Sequence, residues 1–209
     1  MTGVQTCALP IWLLGYLGTL IAAAAIGLAV FREGRVRWIA VAAGLAFLAS
    51  NTVYHIGPLF RQHMTMVMFE VLAVVVLANV NEIAETGKRR RTLLLGMILL
   101  LCAGYTKQLA IATAAAVFIF LFIRNPRRAI VWGVGFALAG GGIFLWMNWA
   151  TGGQWWLQTI AANVNPYIVE QTTGLFRLWF ALHGFLIVPA ARLAFFELYF
   201  TRLSLYVIW

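Results

Sequence analysis

TLLLGMILLLCAGYTKQLAIATAAAVFIFLFI (92–123) carries one charged residue, Lys107, in 32 positions. Read as one helix it would be about 48 Å long at about 1.5 Å per residue, against a bilayer core about 30 Å thick. It would also put the basic clusters at its two ends, GKRRR (87–91) and RNPRR (124–128), on opposite sides of a membrane. Two helices, Thr92–Thr106 and Leu109–Ile123, resolve both problems if the chain turns back at Lys107–Gln108. Each limb is then about 22 Å long, and the tip of the hairpin lies below the outer surface. Polar backbone at that depth is tolerated only where it faces protein or a cavity, so this turn is the first place to look for a site.

The rest of the chain has the same character. Apolar residues make up 63% of the 209 and charged residues 10%, with a mean hydropathy of +0.90. Soluble domains average about 45–50% apolar and about 25% charged. The expectation is an all-α, polytopic transmembrane bundle of seven complete spans: Trp12–Phe31, Trp38–Phe60, Met64–Val80, Thr92–Thr106, Leu109–Ile123, Ala129–Ala150 and Leu175–Phe196. An eighth, Leu198–Trp209, is cut short by the end of the sequence. The Lys and Arg residues number fifteen against six acidic ones, for a net charge of +9. Ten of the fifteen fall in REGRVR (32–37), GKRRR and RNPRR. Clustering between apolar runs points to topology and anionic headgroups rather than nucleic acid. The positive-inside rule puts these three clusters in the cytoplasm, and 61–63, 107–108 and the 151–174 loop outside. The cysteines, Cys7 and Cys102, form no CxxC or Cys/His group, so neither a disulfide framework nor a metal site is expected.

MTGVQTCALPI (1–11) matches no signal peptide, having no basic n-region and no cleavage site. Its codons can be written as a common short-read sequencing adapter opening on a GTG start, with the frame closing on the TGG of Trp12. The stretch is therefore expected to be an artefact, and 12–209 a piece of a longer membrane protein.

Three stretches carry a family likeness: PLFRQHMTMVMFEVLAVVVLAN (58–79), GYTKQLAIATAAAVFIFLFIRNPRRA (104–129) and NWATGGQWWLQTIAANVNPY (148–167). In order and spacing they resemble the GT-C superfamily of polytopic glycosyltransferases, in particular bacterial members of the protein-mannosyltransferase-like (family 39) type. The resemblance spans roughly 130 residues. It implies transfer of a sugar from a polyprenyl-phosphate donor to an acceptor hydroxyl on the extracytoplasmic face of a bacterial inner membrane. It places the catalytic base, an Asp, in an external loop upstream of Trp12, and this chain contains no Asp. His63 stands where family members often carry an acidic residue. The resemblance leaves a divalent metal to the intact protein; no cofactor is expected of this stretch, and the acceptor stays open.

Candidate residues follow from position and type. Glu70 lies about 9 Å into its helix, where a carboxylate is costly and by default functional, so it is the catalytic candidate within the chain. Lys107 at the hairpin tip, Arg61 at an outer helix end and Arg177 near the start of the last complete span are the candidate ligands of the donor phosphate. His63, Gln108, Trp155, Asn163 and Asn165 are the candidates for substrate contact, as amides and aromatic faces suit sugar rings. Each has a plainer reading as an interfacial or helix-packing residue. His55 and His183 read more simply as packing histidines. A transporter or flippase of lipid-linked sugar is the alternative, although no inverted repeat is visible. A lipid-carrier polymerase would need an external loop rich in Arg and His, and 151–174 has neither.

Overall fold

The computed structural model describes residues 8–50, 62–163 and 169–182, with isolated positions at 53, 184, 185, 188, 189 and 192. Among the described residues the regular structure is entirely helical. The chain divides into two compact units, Met1–Met147 and Asn148–Trp209.

The first unit opens on a helical hairpin. Helix α1 (Ala8–Gly34) begins inside the 1–11 stretch and ends where Arg35 takes a left-handed φ of 54°, its N–H bonded to the Phe31 carbonyl. Two residues later α2 (Arg37–Ala49) starts back. Small residues set the contact. A Cβ on Gly27 would lie 2.9 Å from the Ala40 carbonyl oxygen, and one on Gly44 would lie 3.0 Å from that of Ala23. Ala23/Gly27 and Ala40/Gly44 are small residues four apart on both helices, the arrangement by which membrane helices bring their backbones together. The chain leaves α2 at Ser50 with an extended ψ of 136°. Of the span expected over 38–60, helix α2 covers the residues to Ala49 and stops at Ser50, whose hydroxyl-bearing side chain competes with helical bonding; 51–60 lie outside the described residues apart from 53.

Helix α3 (His63–Leu77) packs on α1 through Met64, whose carbonyl faces Gly18. Its other face presents positions 63, 66, 70, 73 and 77, and this row continues to Val80. Helix α4 (Thr86–Thr106) runs antiparallel to α3, with Leu77 seated over Gly96. Helix α4 has 21 residues, because the GKRRR cluster forms its first turns rather than a loop. Lys and Arg are good helix formers, and a span drawn from hydropathy alone stops short of them. The helix is thus about 31 Å long, while its apolar part remains the expected Thr92–Thr106.

The break at Lys107 is real. That residue is extended (φ −159°, ψ 135°), followed by a 3-10 turn (Gln108–Ala110) and α5 (Ile111–Arg124). Helix α6 (Pro126–Ala150) follows at once. Pro126 occupies the first helical position, and Asn125 caps it by accepting the Arg128 backbone N–H at 3.0 Å. A core of Ala73, Leu77 and Val80 with Leu93, Met97 and Leu100, joined by Val117 and Leu121, binds α3, α4 and α5 together. Helix α6 adds Ala129 to this core and sets Phe136 edge-on to Phe118.

Two helical stretches are long and apolar enough to cross a membrane, Leu13–Gly34 and Pro126–Ala150. Arg37–Ala49, His63–Leu77 and Gln108–Arg124 are apolar but shorter. The described residues therefore do not bear out seven or eight full-length spans. Helices α2 and α3 end at Ala49 and Leu77, short of the expected bounds, while the break at Lys107 is the expected one.

In the second unit Gly152 (φ 58°) and Gly153 (φ 88°) end α6 with backbone N–H bonds to Trp149 and Asn148. A side chain at either position would be strained. Helix α7 (Gln154–Thr159), a 3-10 turn (Ala161–Asn163) and a helical stretch at 169–182 follow. Among the described residues of the expected 151–174 loop most are helical, and the helix expected from Leu175 is already present at 169.

Candidate functional site

Two polar side chains of the first unit, His63 and Glu70, lie along one face of α3. His63, Met66, Glu70, Ala73, Leu77 and Val80 recur at spacings of three and four, which puts them on one stripe. Four of the six are buried apolar residues. His63 and Glu70 are the two polar members, two turns or about 10 Å apart along the axis. Each meets a partner from the far side of the Lys107 break. The Lys107 ammonium hydrogen-bonds His63 Nε2, and the Thr113 hydroxyl donates to Glu70 Oε1 at 2.6 Å. Between them Met66 packs on Ala103 and Ala110. His63, Glu70, Lys107 and Thr113 are all half-buried, while Gln108 is exposed at the start of the 3-10 turn.

The His63 bond has a chemical consequence. An ammonium has only protons to give, so Nε2 must accept and the imidazole must be neutral with its proton on Nδ1. Lys107 is thereby oriented without being neutralised.

The two ends of the unit differ. Arg32 and Gly34 share a cleft with Ala78 and Asn79, and Arg128 donates to Asn81 Oδ1 at 3.0 Å. Leu93, two residues after the GKRRR cluster, packs with Val80. All three basic clusters therefore gather at the end of α3 near Val80. Lys107 and His63 stand at the other end, about 22 Å away along α3.

No family model, no curated protein and no solved structure matches the chain. The site therefore has to be read from its own chemistry.

Of the residues singled out from the sequence, the structure brings Lys107 onto His63 and leaves Gln108 beside them. Glu70 lies on the same stripe but is engaged by Thr113. Trp155 (half-buried, its backbone N–H bonded to Thr151 Oγ1) and the exposed Arg177 belong to the second unit. Asn163 closes the 3-10 turn there, its side chain outside the described set. Arg61, Asn165, His55 and His183 lie outside the described residues. Among the described residues no group of three His, Cys or acidic side chains could hold a metal ion.

Sequence reasoning missed three polar contacts. Thr113 serves Glu70; the Tyr105 hydroxyl donates to the Gly140 carbonyl at 2.6 Å; and Asn81 receives Arg128. A signal existed for the first two. A lone Thr in IATAAAVFIF and a lone Tyr in an apolar helix each need a hydrogen-bond partner wherever water is scarce.

Proposed function

We propose that the chain belongs to a polytopic membrane glycosyltransferase of GT-C type, and that Lys107 binds the phosphate of a polyprenyl-phosphate sugar donor on the extracytoplasmic side. The observation that carries this reading is the Lys107–His63 pair: a half-buried cation at a helix break, held by a neutral base rather than a carboxylate. A cation already neutralised by a carboxylate would have little to offer a phosphate. Its distance from the three basic clusters adds support, because by the positive-inside rule it then lies on the far side from the cytoplasm.

The membrane setting draws on the surface. Helix α6 exposes Val131, Leu138, Leu145, Trp146 and Trp149, each by 64–79%. Contiguous apolar patches beyond a few hundred Å² are rare on soluble monomers. The shorter apolar helices then cross as parts of a bundle or enter it partway, with their broken ends turned toward protein.

In the proposed reaction the acceptor hydroxyl attacks the anomeric carbon, and the bond from that carbon to the lipid phosphate breaks. The hydroxyl proton passes to a carboxylate, which the resemblance assigns to an Asp outside this sequence. Lys107 donates to the phosphate oxygen as negative charge grows on it, while His63 keeps the ammonium aimed. Gln108, exposed beside the break, remains the candidate for a further donor contact. Glu70 is less suited to be the base, because its carboxylate is taken by Thr113 about two turns from the ammonium.

Membranes carrying the product of the full reading frame, assayed with a polyprenyl-phosphate sugar, provide the test. Lys107→Ala is expected to lower turnover by about 10²-fold or more, the scale for losing one donor to a developing oxyanion. Lys107→Arg, which keeps the charge, should retain more activity. Turnover unchanged in Lys107→Ala would remove the phosphate role.

A further inference from the structure

The α1–α2 hairpin bears an apolar groove that the proposed reaction does not use. It has a volume of about 620 Å³ and runs the length of the hairpin. Its floor is Gly27 and Gly44, where the two backbones come closest. Its walls are Leu28 and Phe31 from α1, and Val41, Leu45 and Leu48 from α2. Helix α2 contributes from position 37 to position 48, about 16 Å of its length. Leu28, Val41 and Leu45 are each 47–61% exposed, so no described helix covers the groove.

The groove is polarised along its length. Arg37 lines the end at the hairpin turn, and the lining elsewhere is aliphatic or aromatic. Arg32 and Arg35 are exposed within the same turn, against one acidic neighbour, Glu33. A second cleft, lined by Arg32 with Asn79, flanks the other side of α1 at this end. An apolar groove with one guanidinium at its end and two more exposed in the adjoining turn is complementary to an anionic amphiphile. Guanidinium binds phosphate oxygens bidentately. A free anion would leave the groove empty, and a neutral lipid would leave the arginines without a partner.

We infer that the α1–α2 hairpin is a binding site for an anionic phospholipid of the surrounding leaflet, with one acyl chain in the groove and its phosphate on Arg37 and Arg35. The site lies at the basic-cluster end of the unit, away from Lys107, so it is distinct from the proposed donor site. The inference rests on the membrane setting proposed above and not on the sugar-transfer reaction.

The test uses the full chain in bilayer nanodiscs of phosphatidylcholine doped with phosphatidylglycerol bearing a photoactivatable acyl chain. A phosphatidylcholine probe with the same chain is the control. The anionic probe is expected to cross-link within 24–48 at least several-fold more than the neutral one. Arg35→Ala with Arg37→Ala should erase that preference. Ala24→Phe, at an exposed position lining the groove, should block labelling there by both probes while leaving the rest of the chain labelled. Equal labelling by the two probes, or a preference that survives loss of both arginines, would overturn the site. Cross-links from this face to a second copy of the chain would also overturn it, identifying a protein partner instead. A chain that takes up neither probe anywhere and stays in the aqueous phase would refute the membrane setting itself, which keeps the two failures apart.

Discussion

Gly96 shows how narrowly one position in the first unit is set. A Cβ there would meet Leu77 Cγ and Cδ2 at 2.5 Å, and Leu77 is only 2% exposed. Gly96→Ala is expected to destabilise by about 1–3 kcal/mol, the usual range for overpacking. In combination with Leu77→Ala the loss should be well below the sum, because the new methyl occupies space that the leucine leaves. Denaturation in detergent of the two single variants and the double closes the cycle, and simple additivity would show that the contact is not made. The Glu70–Thr113 bond makes a second residue-scale case. Thr113→Val strips a half-buried carboxylate of its donor and should cost about 1–3 kcal/mol. Glu70→Leu in the same background replaces both partners and should recover much of it, as read from the same melts.

Ends of helices decide more than their middles. Arg35 adopts a conformation that costs a residue with a Cβ about 1–2 kcal/mol. Arg35→Gly should relieve this strain and raise stability by about 1 kcal/mol, less the extra chain entropy of glycine. The same substitution should weaken labelling by the anionic lipid probe. A variant that is less stable would contradict the strain, and one equally well labelled would contradict the lipid contact. At the start of α6, Asn125→Ala removes the side-chain acceptor of the Arg128 N–H and should cost about 1 kcal/mol in thermal unfolding. Charge patterning alone marked RNPRR as a loop. The Asn-Pro pair inside it is better read as a cap and first helical residue, which leaves almost no connection between α5 and α6.

Across the molecule, the first unit has a basic end and an end with the Lys107–His63 pair. Gly87 and Gln108 are exposed at the two ends, one opening the GKRRR cluster and the other at the break. With Cys7 and Cys102 replaced by Ala, Gly87→Cys and Gln108→Cys are expected to react with a membrane-impermeant maleimide from opposite sides of sealed vesicles. Labelling of both from one side would end the proposed sidedness and the extracytoplasmic role of Lys107 with it.

Composition and periodicity were enough to determine that this chain is helical and to mark the break at Lys107, since one lysine and one glutamine in 32 residues cannot be hidden in an apolar helix. They also picked out His63, Glu70 and Lys107, because ionisable groups in apolar runs are costly wherever they sit. They did not determine where helices end. Ser50 stops α2 and GKRRR extends α4 for reasons of backbone hydrogen bonding and propensity that a hydropathy average does not register. Tertiary structure alone decided the partners. His63 lies 44 residues from Lys107, and Glu70 lies 43 from Thr113. Spacing along α3 fixes which residues share its face, but what that face meets depends on how α4 and α5 pack across it.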